Sequence, residues 1–169
     1  MSLKNSSATN KTLKYLKKKL KDKKINKIYK KFEKALDIKE DFLVAVSGGP
    51  DSLALAYLSK IYSLKRGLKV KYFIVDHKLR KNSSNEAKLV KKKLKEFLFD
   101  IEILNWYGQK PIRNIQAISR KKRYSLLIKK CNSLKLNNIL LGHHQDDLFE
   151  NFFIRILRGS GLKGLISLD

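Results

Sequence analysis

Three short stretches hold most of the residues able to do chemistry. The first, Ser47-Gly48-Gly49-Pro50-Asp51-Ser52, sets two glycines, two hydroxyls and a carboxylate between an apolar run, 42–46, and a Leu/Ala-rich segment. Glycines allow backbone conformations and close approaches that a Cβ blocks. Pro50 lacks an N–H and suits the first position of a helix. The helix N-terminus that follows offers N–H donors and the positive end of a dipole. Such a turn can cradle a phosphate. Asp51 at its lip repels phosphate unless Mg²⁺ intervenes, which points to a metal–nucleotide complex. A plain helix-entry turn capped by Asp and Ser is the alternative. No Walker A pattern occurs anywhere in the chain.

The other two stretches are VDHKLRKNSSNEAKLV, 75–90, and LGHHQDDLFENFFIRILRGSGLKGL, 141–165. Together they hold all three histidines, His77, His143 and His144. Asp146, Asp147 and Glu150 open a helix, where 146 and 150, and 147 and 150, are neighbours on one face. Arg120 and Arg123, three apart on another helix, could hold a phosphate or a carboxylate. The HHxDD cluster also has the chemistry of a Zn²⁺ or Mn²⁺ site. Against that, adjacent histidines point different ways and no third ligand set accompanies them. Asp76 ends a strand, where it can meet a nucleoside or close an Asx-turn. His77 can brace the loop after that strand, and Arg80 reads equally as a fold brace or a nucleic-acid contact. The letters GSGLKG at 159–164 fit G-x-G-x-x-G but follow a helix, so they are no dinucleotide fingerprint.

The elements that must position these residues alternate. Strands are expected over 42–46, 70–75, 101–104 and 138–141. Helices are expected over 52–66, 84–99, 114–136 and 146–158, with one more over 25–38 where apolar residues recur at helical spacing. Gly67 is a natural C-cap, and Glu86 sits near the positive end of its helix. This alternation predicts an α/β fold, a parallel sheet with helices on both faces. Its ligands bind at the carboxyl ends of the strands. Residues 1–40 read as a basic, partly helical N-terminal extension, and 41–169 as the α/β domain itself.

Composition sets outer limits. The 169 residues are 43% hydrophobic, enough for a core, and carry a net charge of +24. Attraction to nucleic acid and lysine-rich compositional drift both account for that charge. The single cysteine, Cys131, supports neither a disulfide nor a Cys-based metal site and fits a reducing, cytoplasmic setting. It reads as a small buried hydrophobe. No apolar run reaches the ~18 residues of a membrane span, so a soluble protein is expected, with no membrane partner.

The strand–SGGPDS–helix unit resembles the PP-loop of ATP pyrophosphatases, which adenylate a substrate and release pyrophosphate. With DH-LR after the second strand, NIQAISRKKRYSLL at 114–127, HH-DD-E and RGSG-GL, the order and spacing resemble the catalytic domain of the tRNA(Ile)-lysidine synthetase family over roughly 42–168. The resemblance implies a sheet of about five strands in order 3-2-1-4-5. It also implies ATP with Mg²⁺, L-lysine, and an isoleucine tRNA with a CAU anticodon. The reaction would be ligation of the lysine side-chain amine to C2 of the wobble cytidine. It implies catalytic roles for Asp51, His143 and Asp147, and ATP binding by Ser47, Gly48, Gly49, Pro50, Asp51, Ser52, Asp76, His77 and His144. Lysine would meet Arg123, Asp147 and Glu150; Arg120, Arg158, Gly159, Ser160 and Gly161 would form the turn facing tRNA. Asp51 is the candidate contact for Mg²⁺, and a second copy of the chain is a candidate partner. Family members continue beyond the position of Asp169 and commonly carry Thr where Asn151 stands, so a C-terminally truncated catalytic domain is expected. Two alternatives are a PP-loop tRNA thiolase, which would need paired cysteines or an iron–sulfur cluster, and a non-catalytic basic RNA-binding domain.

Overall fold

The central strand, β1 (Phe42–Ala45), has no polar residue, and Phe42, Leu43 and Val44 are wholly buried. A strand apolar on both faces fits only the middle of a covered parallel sheet. The computed structural model describes residues 14–142 and places β1 there. It pairs in parallel with β2 (Val70–Asp76) on one side and β4 (Ile139–Leu141) on the other. β3 (Ile101–Asn105) flanks β2, giving the order β3-β2-β1-β4. These are the first four places of the expected sheet. A fifth strand has no counterpart among the described residues, and the helix expected at 146–158 lies outside them.

Strand periodicity divides the core in two. Phe42, Val44, Tyr72, Ile74 and Ile101 point to one face, packed with Tyr29, Ala56, Tyr62 and Leu94. Those four come from α1 (Lys23–Ala35), α2 (Pro50–Arg66) and α3 (Ser83–Lys95). Leu43 and Phe73 point to the other face, against Leu127 and Cys131 of α4 (Ile115–Ser133). Burying each large apolar side chain contributes about 1.5–3 kcal/mol. Cys131 is buried as expected; burial raises its thiol above the ordinary value, which keeps it protonated and inert.

The N-terminal helix belongs to the first core. Asp22 caps α1 by accepting from the Lys24 and Ile25 N–H groups. After α1, the Tyr62 hydroxyl lies 3.2 Å from the Ile38 N–H, which donates to it, and 2.9 Å from the Ile38 carbonyl, which accepts from it. Pro50 opens α2, and Gly67 closes it at φ 69°, in the left-handed region that favours glycine. α3 and α4 end earlier than their apolar patterns suggest. Leu98 and Lys135 adopt positive φ and turn the chain back, burying Phe99 in the first case.

Candidate functional site

The turn between β1 and α2 is organised by one hydroxyl. Ser52 Oγ lies 3.1 Å from the Ser47 N–H, 3.2 Å from the Gly48 N–H and 3.0 Å from Ser47 Oγ, all of which donate to it. It donates in turn to the Gly49 carbonyl at 2.9 Å. Two backbone donors expected to face a phosphate are thus directed inward. The anion-attracting feature that remains is the first turn of α2, whose N–H groups have no intrahelical acceptor and which lacks a side-chain cap. Gly48 needs to be glycine: its φ is +91°, and a Cβ would meet Val90 Cγ2 at 3.0 Å.

Gly142, immediately after β4, closes against the same turn. A Cβ there would stand 3.0 Å from Ser52 Cα and 3.1 Å from Ser52 N. The end of β4 therefore meets the turn after β1, as the strand order requires. This glycine was not singled out in the sequence, where it reads as an ordinary step between a strand and two histidines. The contact that demands it comes from ninety residues away.

These groups border a cleft of about 740 Å³ at the carboxyl ends of β1, β2 and β4. Its lining mixes apolar side chains, among them Val46, Ile74, Ala87, Leu89 and Val90, with polar ones, among them Ser47, Ser52, Asp76, His77 and Arg123. Apolar side chains in the same cleft as a helix N-terminus suit a flat apolar ring joined to phosphates.

Asp76 is buried at the rim. Its Oδ1 accepts from the Lys78 N–H at 2.9 Å and from Ser83 Oγ at 2.8 Å, and its Oδ2 accepts from Ser84 Oγ. Burial pushes the carboxyl up, but the bonds from Ser84, Lys78 and Ser83 outweigh it and hold the group below its ordinary range. The Asx-turn reading of Asp76 is therefore realised, and the carboxylate also ties the first turn of α3 to β2. Ser83 and Ser84 were not identified from the sequence, because nothing local links them to a carboxylate on the preceding strand.

His77 stands between Arg123 and Trp106. Its Nε2 lies 3.5 Å from Arg123 Nε, and its ring meets Trp106 edge-on at 5.9 Å. Burial, and then the Arg123 charge, lower its pKa below the ordinary histidine value. With Nε2 facing a donor, the ring proton belongs on Nδ1, a buried atom without a hydrogen-bond partner. Arg123 reaches the cleft wall; Arg120 is held by Tyr124, with Nε 3.4 Å from its hydroxyl. Arg80 pairs with Glu86 at 3.3 Å on the exposed rim. His143, His144, Asp147, Glu150, Arg158, Gly159, Ser160 and Gly161 lie outside the described residues.

A PP-loop domain family matches residues 17–169. The chain belongs to that family. Curated relatives narrow the likeness within it. A tRNA(Ile)-lysidine synthase of Orientia tsutsugamushi is 43% identical over 124 residues, 73% of this chain and 28% of that protein. The synthase of the same name from Rhodopseudomonas palustris is 40% identical over 128 residues, 75% of this chain and 37% of that protein. That of Wolbachia pipientis wMel is 41% identical over 128 residues, 75% of this chain and 30% of that protein. The PP-loop chain thus spans about a third of the length of the curated relatives it matches. Among solved structures, the U34-tRNA thiolase NcsA from Methanococcus maripaludis, with its 4Fe–4S cluster, aligns with a TM-score of 0.71 at 18% identity. It covers 84% of this chain and 53% of that one. At that identity the likeness is one of fold. Among the described residues, no helix is long and apolar enough to cross a membrane.

Proposed function

We propose that this PP-loop chain carries out the activation chemistry of a tRNA(Ile)-lysidine synthase. The wobble cytidine of an isoleucine tRNA with a CAU anticodon would attack the α-phosphate of ATP through its C2 oxygen. A P–O bond forms there, the bond to the β-phosphate breaks, and pyrophosphate leaves. The side-chain amine of L-lysine then attacks C2, loses a proton, and expels AMP. The observation that carries this reading is identity near 40% with synthases of that name over a stretch of 124 to 128 residues.

The cleft supports the first step. Its apolar side chains suit adenine, and the first turn of α2, beside Gly142, suits the phosphates whose charge grows as pyrophosphate departs. The Ser52 bonds hold that turn in shape before any ligand arrives, which is how electrostatic stabilisation avoids reorganisation. Asp51, in the first turn of α2, would share a Mg²⁺ with the phosphates. Among the described residues, no group of three His, Cys, Asp or Glu could hold a metal. A Mg²⁺ carried by substrate phosphates and one carboxylate requires no such cage. Bound there, Mg²⁺ would offset charge on the leaving pyrophosphate.

Arg123, on the cleft wall, is assigned to the lysine carboxylate, with Asp147 and Glu150 at the ammonium end. His143 and His144 are assigned to the nucleotide, and Arg120 with the 158–161 turn to the tRNA. A cytoplasmic location follows from this role. The test is ATP-dependent transfer of labelled lysine to a CAU transcript and to one with the wobble cytidine changed to uridine. Label in the CAU transcript alone, with AMP released in equal amount, is expected. Label in both, or transfer without ATP, contradicts the reading.

A further inference from the structure

We infer that the connection between β3 and α4 is a stacking platform for an unpaired nucleobase, with Tyr107 as its face and Lys78 and Lys110 as its cations. It deepens the proposed function and rests on it for the identity of the RNA. Tyr107 is 74% exposed, and Ile112, on the same connection, is 93% exposed. A solvated aromatic ring offers a face on which a base can stack.

The connection is built, not loose. Trp106 is buried, and its N–H donates to the Asp76 carbonyl at 2.9 Å. Gly108, at φ +106°, turns the chain so that Lys110 returns to Trp106. There Lys110 Nζ donates to the Trp106 carbonyl at 2.7 Å and sits 4.2 Å from the ring centroid. From the other side, the Asx-turn on Asp76 fixes Lys78 at φ 52°, and its Nζ lies 4.7 Å from the Tyr107 centroid. The aromatic pair is thus held between two lysines before any partner binds, which lowers the ordering cost of association.

Charge selects the partner. No acidic residue occurs between Glu102 and Asp146, and Lys110, Arg113, Arg120, Lys121, Lys122 and Arg123 fall within that span. A stretch of chain of one sign attracts phosphates. A duplex would satisfy the charge but hide its base faces, whereas an unpaired loop offers both phosphates and bases to stack. His77 lines the cleft and its ring meets Trp106, the neighbour of Tyr107, so a base stacked on Tyr107 lies on the His77 side of the cleft.

The test compares binding of a labelled RNA stem–loop and a blunt duplex of equal length to the wild-type chain, Tyr107→Ala and Tyr107→Phe. Removing the ring should weaken stem–loop binding by about 5- to 50-fold and leave the duplex within about 2-fold. Tyr107→Phe should bind both as wild type does. Equal binding of the stem–loop by Tyr107→Ala, or equal loss of both RNAs, overturns the platform. The assay uses neither ATP nor lysine, so failure of lysine transfer with Tyr107-dependent loop binding removes the lysidine reading and leaves the platform standing.

Discussion

Ser52 Oγ receives the Ser47 and Gly48 N–H groups, so Ser52→Ala leaves two backbone donors in a part-buried turn without an acceptor. The expected loss is about 1–3 kcal/mol of unfolding free energy, read from urea denaturation. Asp76 makes a pH-dependent contribution. Its folded pKa is depressed, because the bonds from Ser84, Lys78 and Ser83 overcome burial. A carboxyl lowered on folding stabilises in full above its unfolded value of about 4 and loses that contribution as pH falls through the folded value. Asp76→Asn should cost about 1–2 kcal/mol at neutral pH. That difference should shrink steadily as unfolding is followed into acid; a difference independent of pH would contradict it. The pKa of His77 is lowered as well. Burial, then Arg123, keep it neutral, so the unfolded chain takes up a proton first and stability falls as pH drops below about 6.5.

At the scale of elements, the end of β4 must lie flat on the first turn of α2. Gly142→Ala inserts a methyl 3.0 Å from Ser52 Cα, where both neighbours are backbone and have little room to give. It should separate the two loops and impair whatever binds there. Much of this layer was legible in the sequence. β1 and β2 announced themselves as apolar runs because buried parallel strands admit little else. The 47–52 turn stood out because Gly, Pro and Ser cluster only where backbone geometry demands them. Helix ends were less legible: Leu98 and Lys135 take positive φ without being glycine, which their local preference does not foretell. Ser83, Ser84 and Gly142 escaped notice for the same reason, since each is defined by a partner across the fold.

For the whole molecule, the charge of +24 is carried by one side-chain class on nearly every helix. Affinity for RNA should therefore fall steeply with salt, by about 10- to 1,000-fold between about 50 and 200 mM, as counterion release requires. A flat salt dependence, measured by anisotropy, would assign the lysines to composition alone. The turn after β1 and the end of β4 border the cleft, and the central claim is that they form a nucleotide site. Calorimetric titration of ATP with Mg²⁺ into wild-type, Gly142→Ala and Tyr107→Ala chains, each shown folded by circular dichroism, tests it most directly. Saturable binding by wild type and Tyr107→Ala, weakened at least about tenfold in Gly142→Ala, is the predicted result. No binding by wild type, or equal binding by Gly142→Ala, would contradict it.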